Sequence, residues 1–383
     1  MTSEETRWFR VVMSAVAVAI LCQIGSGAAD ANEDRENHDR EHSRGGAVYT
    51  LTNEARANAV VAFNRSARGP LSDPRRFATG GRGTGSGLGS QGAIALSRNG
   101  SWLFAVNPGS NDISVFSVRG TELRLAHRSS SGGTMPISVT SHRSLVFVLN
   151  AGGTGNIAGF TLTPSGALQP LPDGVRSLSG PKTGPAQVSF SPNGESLVVT
   201  EKNTGLLALY SVDDDGAVSE ATQVPSNGET PFGFSFTRHG LLIVSEAFGG
   251  RDGESAVSSY RLEDEVQPIS GSVPDHQTAA CWIAVTRNGQ YAYTSNTGSG
   301  SISGYRVSSR GTLSLLNPDG RTASTGDGSS PTDMALSADS SFLFAVGSGT
   351  GTISAFRVRD DGSLTLLDPV GGLPTSVVGL AAR

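Results

Sequence analysis

The feature that most constrains this chain is a short phrase that recurs along most of its length. The phrase reads RNGSWLFAVN at 98–107 and RNGQYAYTSN at 287–296, with a related copy, PNGESLVVTE, at 192–201. Each copy is a turn dipeptide, followed by a run of apolar, aromatic and β-branched residues that favours a strand. A chain that repeats one such unit is expected to fold as an array of similar units.

The residue that ends the phrase sets the period of the repeat. It falls at seven positions: Asn53, Asn107, Asn150, Glu201, Glu246, Asn296 and Gly347. From the first to the last is 294 residues over six intervals, a mean spacing of 49. A fixed period of this length is typical of propellers and solenoids.

Each period contains four predicted strands. A short apolar strand such as PAQVSFS at 185–191 comes first, the phrase is the second, and runs such as DISVFSV at 112–118 are the third. In five of the seven units the fourth strand is predicted to start at Leu or Val: Leu123, Leu168, Val218, Leu313 and Leu364. Tight turns between these strands make an antiparallel meander, so the pattern predicts an all-β, seven-bladed β-propeller with four-stranded antiparallel blades.

The two ends of the repeat region complement each other. The first unit begins at Gly46 with its second strand, whereas PTSVVGLAAR at 374–383 resembles a first strand with nothing after it. We therefore expect the C-terminal strand to complete the first blade, which would close the ring and pair an exposed edge. The predicted propeller domain is 46–383.

The N-terminus reads as a targeting segment rather than part of the fold. A short apolar run at 11–24 and small residues after it favour a signal peptide at 1–29, with cleavage after Ala29 or Ala31. Residues 30–45 are dense in charge and are predicted to be a solvated linker. We expect a secreted or periplasmic protein that is free of the membrane once the signal is removed. Lipidation at Cys22 and a retained anchor are the alternatives.

Charge and composition exclude several partners and cofactors. The net charge of −5, with no basic stripe, argues against nucleic acid. Signal removal leaves Cys281 without a disulfide partner, and the histidines show no zinc spacing. His38 and His42 lie four apart in the linker, where a solvated tail is the simpler interpretation. We predict a monomer with no metal and no cofactor.

The stretch GLGSQG at 87–92 matches the GxGxxG pattern of dinucleotide-binding sites, but it leads into a strand and not into a helix. We interpret it as a loop over the channel mouth.

The starts of the first strands and the ends of the second strands share one face of a propeller. Asn107, Asn150 and Asn296 would therefore ring one channel mouth and are candidate ligand-binding residues. Asparagine at a strand end also satisfies loop backbone groups, and that alternative stays open.

Two carboxylates interrupt the asparagines in consecutive units. Glu201 and Glu246, with Arg251 close in sequence, are the candidate catalytic residues, because a carboxylate beside a cation can do acid–base work or form an ion pair.

Three more candidates share one position on the first strands. Gln187, Trp282 and Asp333 are predicted to face the channel and to bind a ligand there, or to belong to its packed lining.

These repeats, the period near 49 and the first blade closed by the C-terminal tail resemble the lactonase-type seven-bladed propellers. That group includes 6-phosphogluconolactonase-like proteins and muconate cycloisomerases. The resemblance implies that Glu201 and Asn296 match family positions. The family's GPRH-like stretch is GPAQ at 184–187 here, and its AEIH-like stretch is AACW at 279–282, so the family's arginine and histidines are absent.

Two functions follow from the sequence. The first is an exported lactonase-like enzyme that hydrolyses or isomerises a lactone or sugar-derived ring at the channel mouth. The second is a non-catalytic propeller that binds a glycan or an extracellular protein through the same face. Loss of the family's histidine and arginine favours binding, whereas the retained Glu201 favours lactone chemistry.

Overall fold

The computed structural model describes residues 45–263 and 265–383. The predicted signal peptide, residues 30–44 of the predicted linker, His38, His42 and Cys22 lie outside them. The described chain forms seven sheets arranged as the predicted all-β propeller, with one short 3₁₀ helix, Phe248–Gly250, so the predicted fold class is confirmed. None of the helical structure in this part of the chain is long and apolar enough to cross a membrane.

Blades I to IV are built from consecutive antiparallel strands, with one strand of blade I contributed by the C-terminus. Blade I contains β1 (Gly46–Leu51), β2 (Ala59–Arg65), β3 (Leu71–Ala78) and β29 (Val378–Ala382). Blade II contains β4 (Ile94–Leu96), β5 (Trp102–Asn107), β6 (Asp112–Arg119) and β7 (Glu122–Ser130). Blade III contains β8 (Pro136–His142), β9 (Leu145–Asn150), β10 (Asn156–Leu162) and β11 (Leu168–Ser177). Blade IV contains β12 (Pro185–Phe190), β13 (Ser196–Glu201), β14 (Leu206–Ser211) and β15 (Thr222–Pro225).

Blades V to VII follow the same plan. Blade V contains β16 (Pro231–Phe236), β17 (Leu241–Glu246), β18 (Ala256–Leu262) and β19 (Val266–Pro274). Blade VI contains β20 (Ala280–Val285), β21 (Tyr291–Asn296), β22 (Ser301–Val307) and β23 (Leu313–Leu315), and β24 (Ala323–Ser324) also pairs with β22. Blade VII contains β25 (Pro331–Leu336), β26 (Phe342–Gly347), β27 (Thr352–Val358) and β28 (Leu364–Leu366).

The second strand of each blade is apolar on both faces because it packs against two neighbouring blades. In β1, Val48 belongs to a core shared with Phe344 of blade VII, while the next residue, Tyr49, belongs to a core shared with Phe104 of blade II. Successive side chains of a strand point to opposite faces, so a continuous apolar run buries both. This packing explains why the repeated phrase reads as an unbroken apolar run.

Turns between the first and second strands depend on a glycine and on the side chain before it. Gly100 has a φ of 66°, which glycine adopts without steric cost. Asn99 is not in the positive-φ region that a two-residue Asn-Gly hairpin would require. Its Oδ1 instead accepts a hydrogen bond from the Ser101 amide at 3.1 Å. Asn193 and Asn288 bind the amides two residues further on in the same way.

One predicted fourth strand begins later than expected. Val218 makes only an isolated bridge with Val212, and the fourth strand of blade IV is Thr222–Pro225. The reason is an irregular segment between them, in which the Ser219 amide donates to the Ser211 carbonyl at 3.0 Å before regular pairing resumes.

The C-terminal strand closes the ring as predicted. It pairs antiparallel with β1 in a register that places Val48 opposite Ala382 and Thr50 opposite Leu380. Thr50 Oγ1 also donates to the Gly379 carbonyl at 2.7 Å. Leu380 is buried, and it packs in the core shared by blades I and VII.

Shortening Leu380 tests whether this closure stabilises the whole ring. Leu380→Ala should lower the free energy of unfolding by about 2–4 kcal/mol, because it leaves a cavity in a core that joins two blades. The matched control is Leu366→Ala, whose side chain is 56% exposed and which should cost less than about 0.5 kcal/mol. Urea unfolding measures both; equal costs for the two variants would contradict the role of the closing strand.

Candidate functional site

The asparagines that end the second strands lie inside the blades. Asn107 Nδ2 donates to Asp112 Oδ1 at 2.7 Å and to Ser114 Oγ at 2.8 Å. Asn296 binds the hydroxyls of Ser301 and Ser303 at 3.0 and 2.8 Å. Both asparagines are fully buried and bind the residues five and seven positions further on, so they tie the second strand to the third.

Asn150 makes a related contact with the segment that connects two blades. Its Nδ2 donates to the Ser131 carbonyl at 3.0 Å, and the residue is fully buried. An added Cβ at Gly133 would lie 2.7 Å from the Asn150 side chain, so the connecting segment passes directly over it.

Glu201 is buried under the connection between blades III and IV. Its carboxylate accepts hydrogen bonds from the Ser179 amide at 3.0 Å, from the Ser179 hydroxyl, and from Thr204 Oγ1 at 2.8 Å. The residue is 0% exposed, so these contacts hold the loop that leads into β12.

Glu246 occupies the same position one blade further on and has more hydrogen-bond donors. The hydroxyls of Ser258 and Ser272 donate at 2.5 and 2.6 Å, and Ser226 and the Gly228 amide add two more hydrogen bonds. Burial raises the pKa of Glu246, against the opposing effect of these donors.

Arg251 lies apart from both carboxylates. It is exposed, just after the short helix, and pairs with Glu229 at 3.0 Å and Glu254 at 2.5 Å. None of the contacts in the described part of the chain joins Arg251 to Glu201 or Glu246, so the structure does not bring the three candidate catalytic residues together.

The loop that contains GLGSQG enters the channel mouth. The backbone N–H of Gln91 donates to the Ala186 carbonyl at 3.0 Å. Its side-chain amide donates to the Ile283 carbonyl at 2.9 Å and accepts from the Ile283 backbone N–H at 3.2 Å. Ser90 Oγ donates to the Ile137 carbonyl at 2.9 Å. Residues 88–92, which we call the channel loop, are thus held by the inner strands of blades III, IV and VI.

Two of the candidate ligand-binding residues on the inner strands, Trp282 and Gln187, form hydrogen bonds within the protein and do not line an open surface. Trp282 Nε1 donates to the Ser90 carbonyl of the channel loop at 2.9 Å, and its ring lies 5.2 Å from that of Phe232. Gln187 bonds to both the carbonyl and the amide of Phe234 on the next blade, at 3.0 and 2.7 Å. Both side chains are almost completely buried.

Asp333 is buried beside the same loop. Its Oδ1 accepts from the Met334 amide at 2.7 Å, and the amides of Gly92 and Leu380 also face the carboxylate. Oδ2 lacks a partner with good hydrogen-bond geometry. Burial dominates and raises the pKa of Asp333 to about 8, so this group is mostly neutral at pH 7.

Lys202 is the charged residue that the channel loop partly encloses. Its Nζ donates to the Gly89 carbonyl at 2.5 Å and lies 4.5 Å from the centre of the Phe232 ring. Burial of the amine lowers the pKa of Lys202 to about 8. Lys202 is not among the candidates predicted from the sequence; the available signal was its position one residue past the second strand of blade IV.

A cavity of ≈ 250 Å³ opens next to Lys202, and we call it the Lys202 cavity. It lies between blades III and IV, with Met135 and Ile137 among its apolar lining and Asn203 and Lys182 among its polar lining. Two cations and one amide on an apolar wall can hold an anionic or carbonyl-bearing small molecule. Its lining includes neither a carboxylate nor a histidine among the described residues.

Clusters of metal-ligating side chains were a further kind of candidate site. No group of three or more His, Cys, Asp or Glu side chains within 45–263 and 265–383 is arranged to hold an ion. Cys281 is a free, buried thiol, and burial raises its pKa to about 12.

Comparison with known proteins gives one family and a set of solved structures that share its fold. The family model described as lactonase, 7-bladed beta-propeller, matches residues 38–177 and 154–261, which together span more than half of the chain. No curated protein sequence matches the chain.

The similar solved structures share the fold at low sequence identity. A putative 6-phosphogluconolactonase from Bacteroides fragilis is 16% identical, with a TM-score of 0.68 over 88% of this chain and 98% of that one. The periplasmic gluconolactonase of Pseudomonas aeruginosa is 15% identical, with a TM-score of 0.68 over 88% and 99%. A protein from Lactobacillus plantarum is 18% identical, with a TM-score of 0.71 over 88% and 98%.

The raised pKa of Asp333 predicts a specific pH dependence of stability. The folded state keeps a proton that the unfolded state loses above pH 4, so stability due to Asp333 is lost as pH rises from about 4 to about 8. The slope is about 1.4 kcal/mol per pH unit. Asp333→Asn removes the ionisation, while any packing cost of the amide is the same at every pH.

Urea unfolding of the wild type and Asp333→Asn between pH 4.5 and 8 measures this difference. The variant should gain stability relative to the wild type as the pH rises. Parallel stability curves for the two proteins would show that Asp333 is ionised in the folded state.

Proposed function

The chain belongs to the lactonase family of seven-bladed β-propellers, and we propose that it opens the ring of a sugar-derived lactone in the Lys202 cavity. The observation that carries this proposal is that Lys202, whose amine is partly enclosed by the channel loop, is one of the residues that line that cavity. With a pKa of about 8 the amine is mostly protonated at neutral pH, so it can donate a hydrogen bond to a lactone carbonyl.

Water adds to the carbonyl carbon of the lactone and gives up a proton to solvent, which leaves negative charge on the carbonyl oxygen. The ring C–O bond then breaks, and solvent protonates the ring oxygen that is released. A protonated amine that is partly shielded from solvent stabilises that charge more strongly than an exposed amine, because the local dielectric is lower. Contact with the Phe232 ring and the Gly89 carbonyl fixes the position of Nζ before a substrate arrives. In this proposal Lys202 is therefore the group that stabilises the oxyanion.

Cavity size and lining favour a single sugar-sized ring with an anionic or oxygen-rich substituent. The volume of ≈ 250 Å³ lies just below the range of about 300–1,000 Å³ for drug-sized ligands. Lys182 is exposed at the rim, where it can attract an acidic substituent or the carboxylate product. A gluconolactone-like substrate, the kind named for the Pseudomonas aeruginosa relative, fits this chemistry and an exported protein.

Glu201 has a positioning role in this proposal. Its carboxylate is occupied by Ser179 and Thr204, and it is the residue directly before Lys202. The predicted roles of Glu246 and Arg251 in catalysis remain a competing proposal, because a carboxylate that opened to solvent could activate water.

Binding without turnover is the second candidate function. It is favoured by the buried state of Glu201 and Glu246, which leaves the described cavity lining without a carboxylate or histidine to activate water. A non-catalytic propeller would hold a sugar acid, a glycan or the acidic side chain of an extracellular protein at Lys202.

Hydrolysis of glucono-1,5-lactone, corrected for the spontaneous rate, tests the enzyme proposal. Lys202→Gln should lower kcat/KM about 100-fold, the typical cost of removing one donor to an oxyanion. The matched control is Lys182→Gln, the same change at the exposed rim, which should lower kcat/KM for this uncharged lactone far less than Lys202→Gln does. Loss of turnover in Glu201→Gln with full activity in Lys202→Gln would contradict the role given to Lys202 and favour carboxylate catalysis.

The pH profile gives an independent test of the same residue. Because the protonated amine is the active form, kcat/KM should fall as the pH rises through about 8. Lys202→Gln should lose this alkaline decline. If no lactone is turned over, yet gluconate binds saturably and Lys202→Gln abolishes that binding, the protein is a binder and the enzyme proposal is wrong.

A further inference from the structure

A second cavity opens on the opposite face of the propeller. Strand β12 begins at Pro185, which lines the Lys202 cavity, and ends at Phe190, which lines a separate cavity of ≈ 400 Å³. The ends of β8, β16 and β20 line the same space, so it lies on the axis of the ring. We call it the basal cavity.

Positive charge is concentrated at the basal cavity. Arg98, Arg238 and Arg287 line it, each exposed in a turn that follows an inner strand. None of the described residues that line it is acidic. Because the whole chain carries a net charge of −5, this cluster is a local feature and not a result of overall composition.

His142 is a further polar residue of the basal cavity. It lines the basal cavity, and burial together with Arg143 and Arg98 lowers the pKa of its imidazole. The histidine is thus mainly neutral at physiological pH and can serve as a hydrogen-bond donor or acceptor to a ligand.

A groove continues from the basal cavity toward the outer edge of the propeller. This second space, of ≈ 670 Å³, shares Arg98 and His142 with the basal cavity and adds Arg143 and Trp102. Arg143 pairs with Asp214 at 3.3 Å, but both side chains are largely exposed, so the pair contributes little and can be exchanged for a ligand. The two spaces together form a path with cations along its length and an indole near its outer end.

We propose that this basal path binds an anionic polysaccharide, a chain of uronic acid residues. Repeated carboxylates match arginines that are spread from the axis to the edge, since each guanidinium can bind a carboxylate with two parallel hydrogen bonds. The hydroxyls of Ser141, Ser189 and Thr237 line the basal cavity and suit the hydroxyls of a sugar. Trp102 offers an aromatic surface for the apolar side of a pyranose ring.

A sugar chain fits the lining better than a nucleic acid does. Single-stranded nucleic acids bind through several aromatic platforms on which successive bases stack, along a continuous basic groove. Phe190 and Phe236 also line the basal cavity, but Phe190 is buried against Phe147 and Phe236 packs edge-on against Phe234. The partly exposed indole of Trp102 lies in the groove, and more than half of the polar lining of the two described spaces is hydroxyl groups. This site is separate from the Lys202 cavity and does not depend on lactone chemistry.

Calorimetric titration of the whole protein with octagalacturonate at low salt tests the proposal. The double variant Arg98→Ala/Arg238→Ala should bind at least 10-fold more weakly, with a smaller dependence on salt. Arg310→Ala is the matched control, because Arg310 is exposed in a hairpin on the same face but outside both spaces. Trp102→Phe should weaken binding and remove the ligand-dependent change in fluorescence.

Several results would overturn the proposal. Equal weakening by Arg310→Ala would indicate non-specific attraction, and equal affinity for neutral maltooctaose would remove the role of the arginines. Tighter binding of inorganic phosphate or of a single-stranded oligonucleotide, with the same dependence on Arg98 and Arg238, would assign the site to that ligand instead. Absence of any octagalacturonate binding would also contradict it.

Discussion

Antiparallel pairing between β1 and β29 is the contact that makes the seven sheets into a ring. It joins Val48 to Ala382, residues at opposite ends of the described chain, and so closes a very long loop at an entropic cost. Burial of Leu380 and Val48 with Phe344 in one shared core offsets that cost. In the closed ring all the inner strands start on one face and end on the other, so the Lys202 cavity and the basal cavity lie on opposite faces.

The channel loop determines what the first of these faces can bind. Gln187 and Trp282, which the sequence predicts to face the channel, both form cross-links between parts of the propeller. Trp282 binds Ser90 of the loop, and Gln91 binds Ile283, so the axis is occupied by the protein itself. The polar side chain that stays partly accessible beside the loop is Lys202. Its pKa of about 8 results from its partial burial under that loop.

The repeat fixed the blade count, the strand order and the closing strand, because burial on both faces imposes an apolar pattern that is visible in the sequence. The environment of each polar residue was not visible in the same way. Similar local sequences surround the strand ends at Asn107, Asn150 and Glu246. The burial of these residues depends on loops from other parts of the chain, which local sequence does not specify. Gln91 and Ile283 are 192 residues apart in the sequence, so a local sequence pattern cannot predict their contact. Lys202 could not be separated from ordinary surface lysines until the channel loop was placed above it.

Hydrogen–deuterium exchange of the closing strand tests the closed ring most directly. A closed ring predicts that the amides of Val378–Ala382 exchange as slowly as those of Ser196–Glu201, an internal strand of blade IV. Exchange of Val378–Ala382 as fast as that of the adjacent loop at 371–373 would mean that the strand is not docked. In that case the inner strands would share no common axis, and neither cavity would have the lining described above.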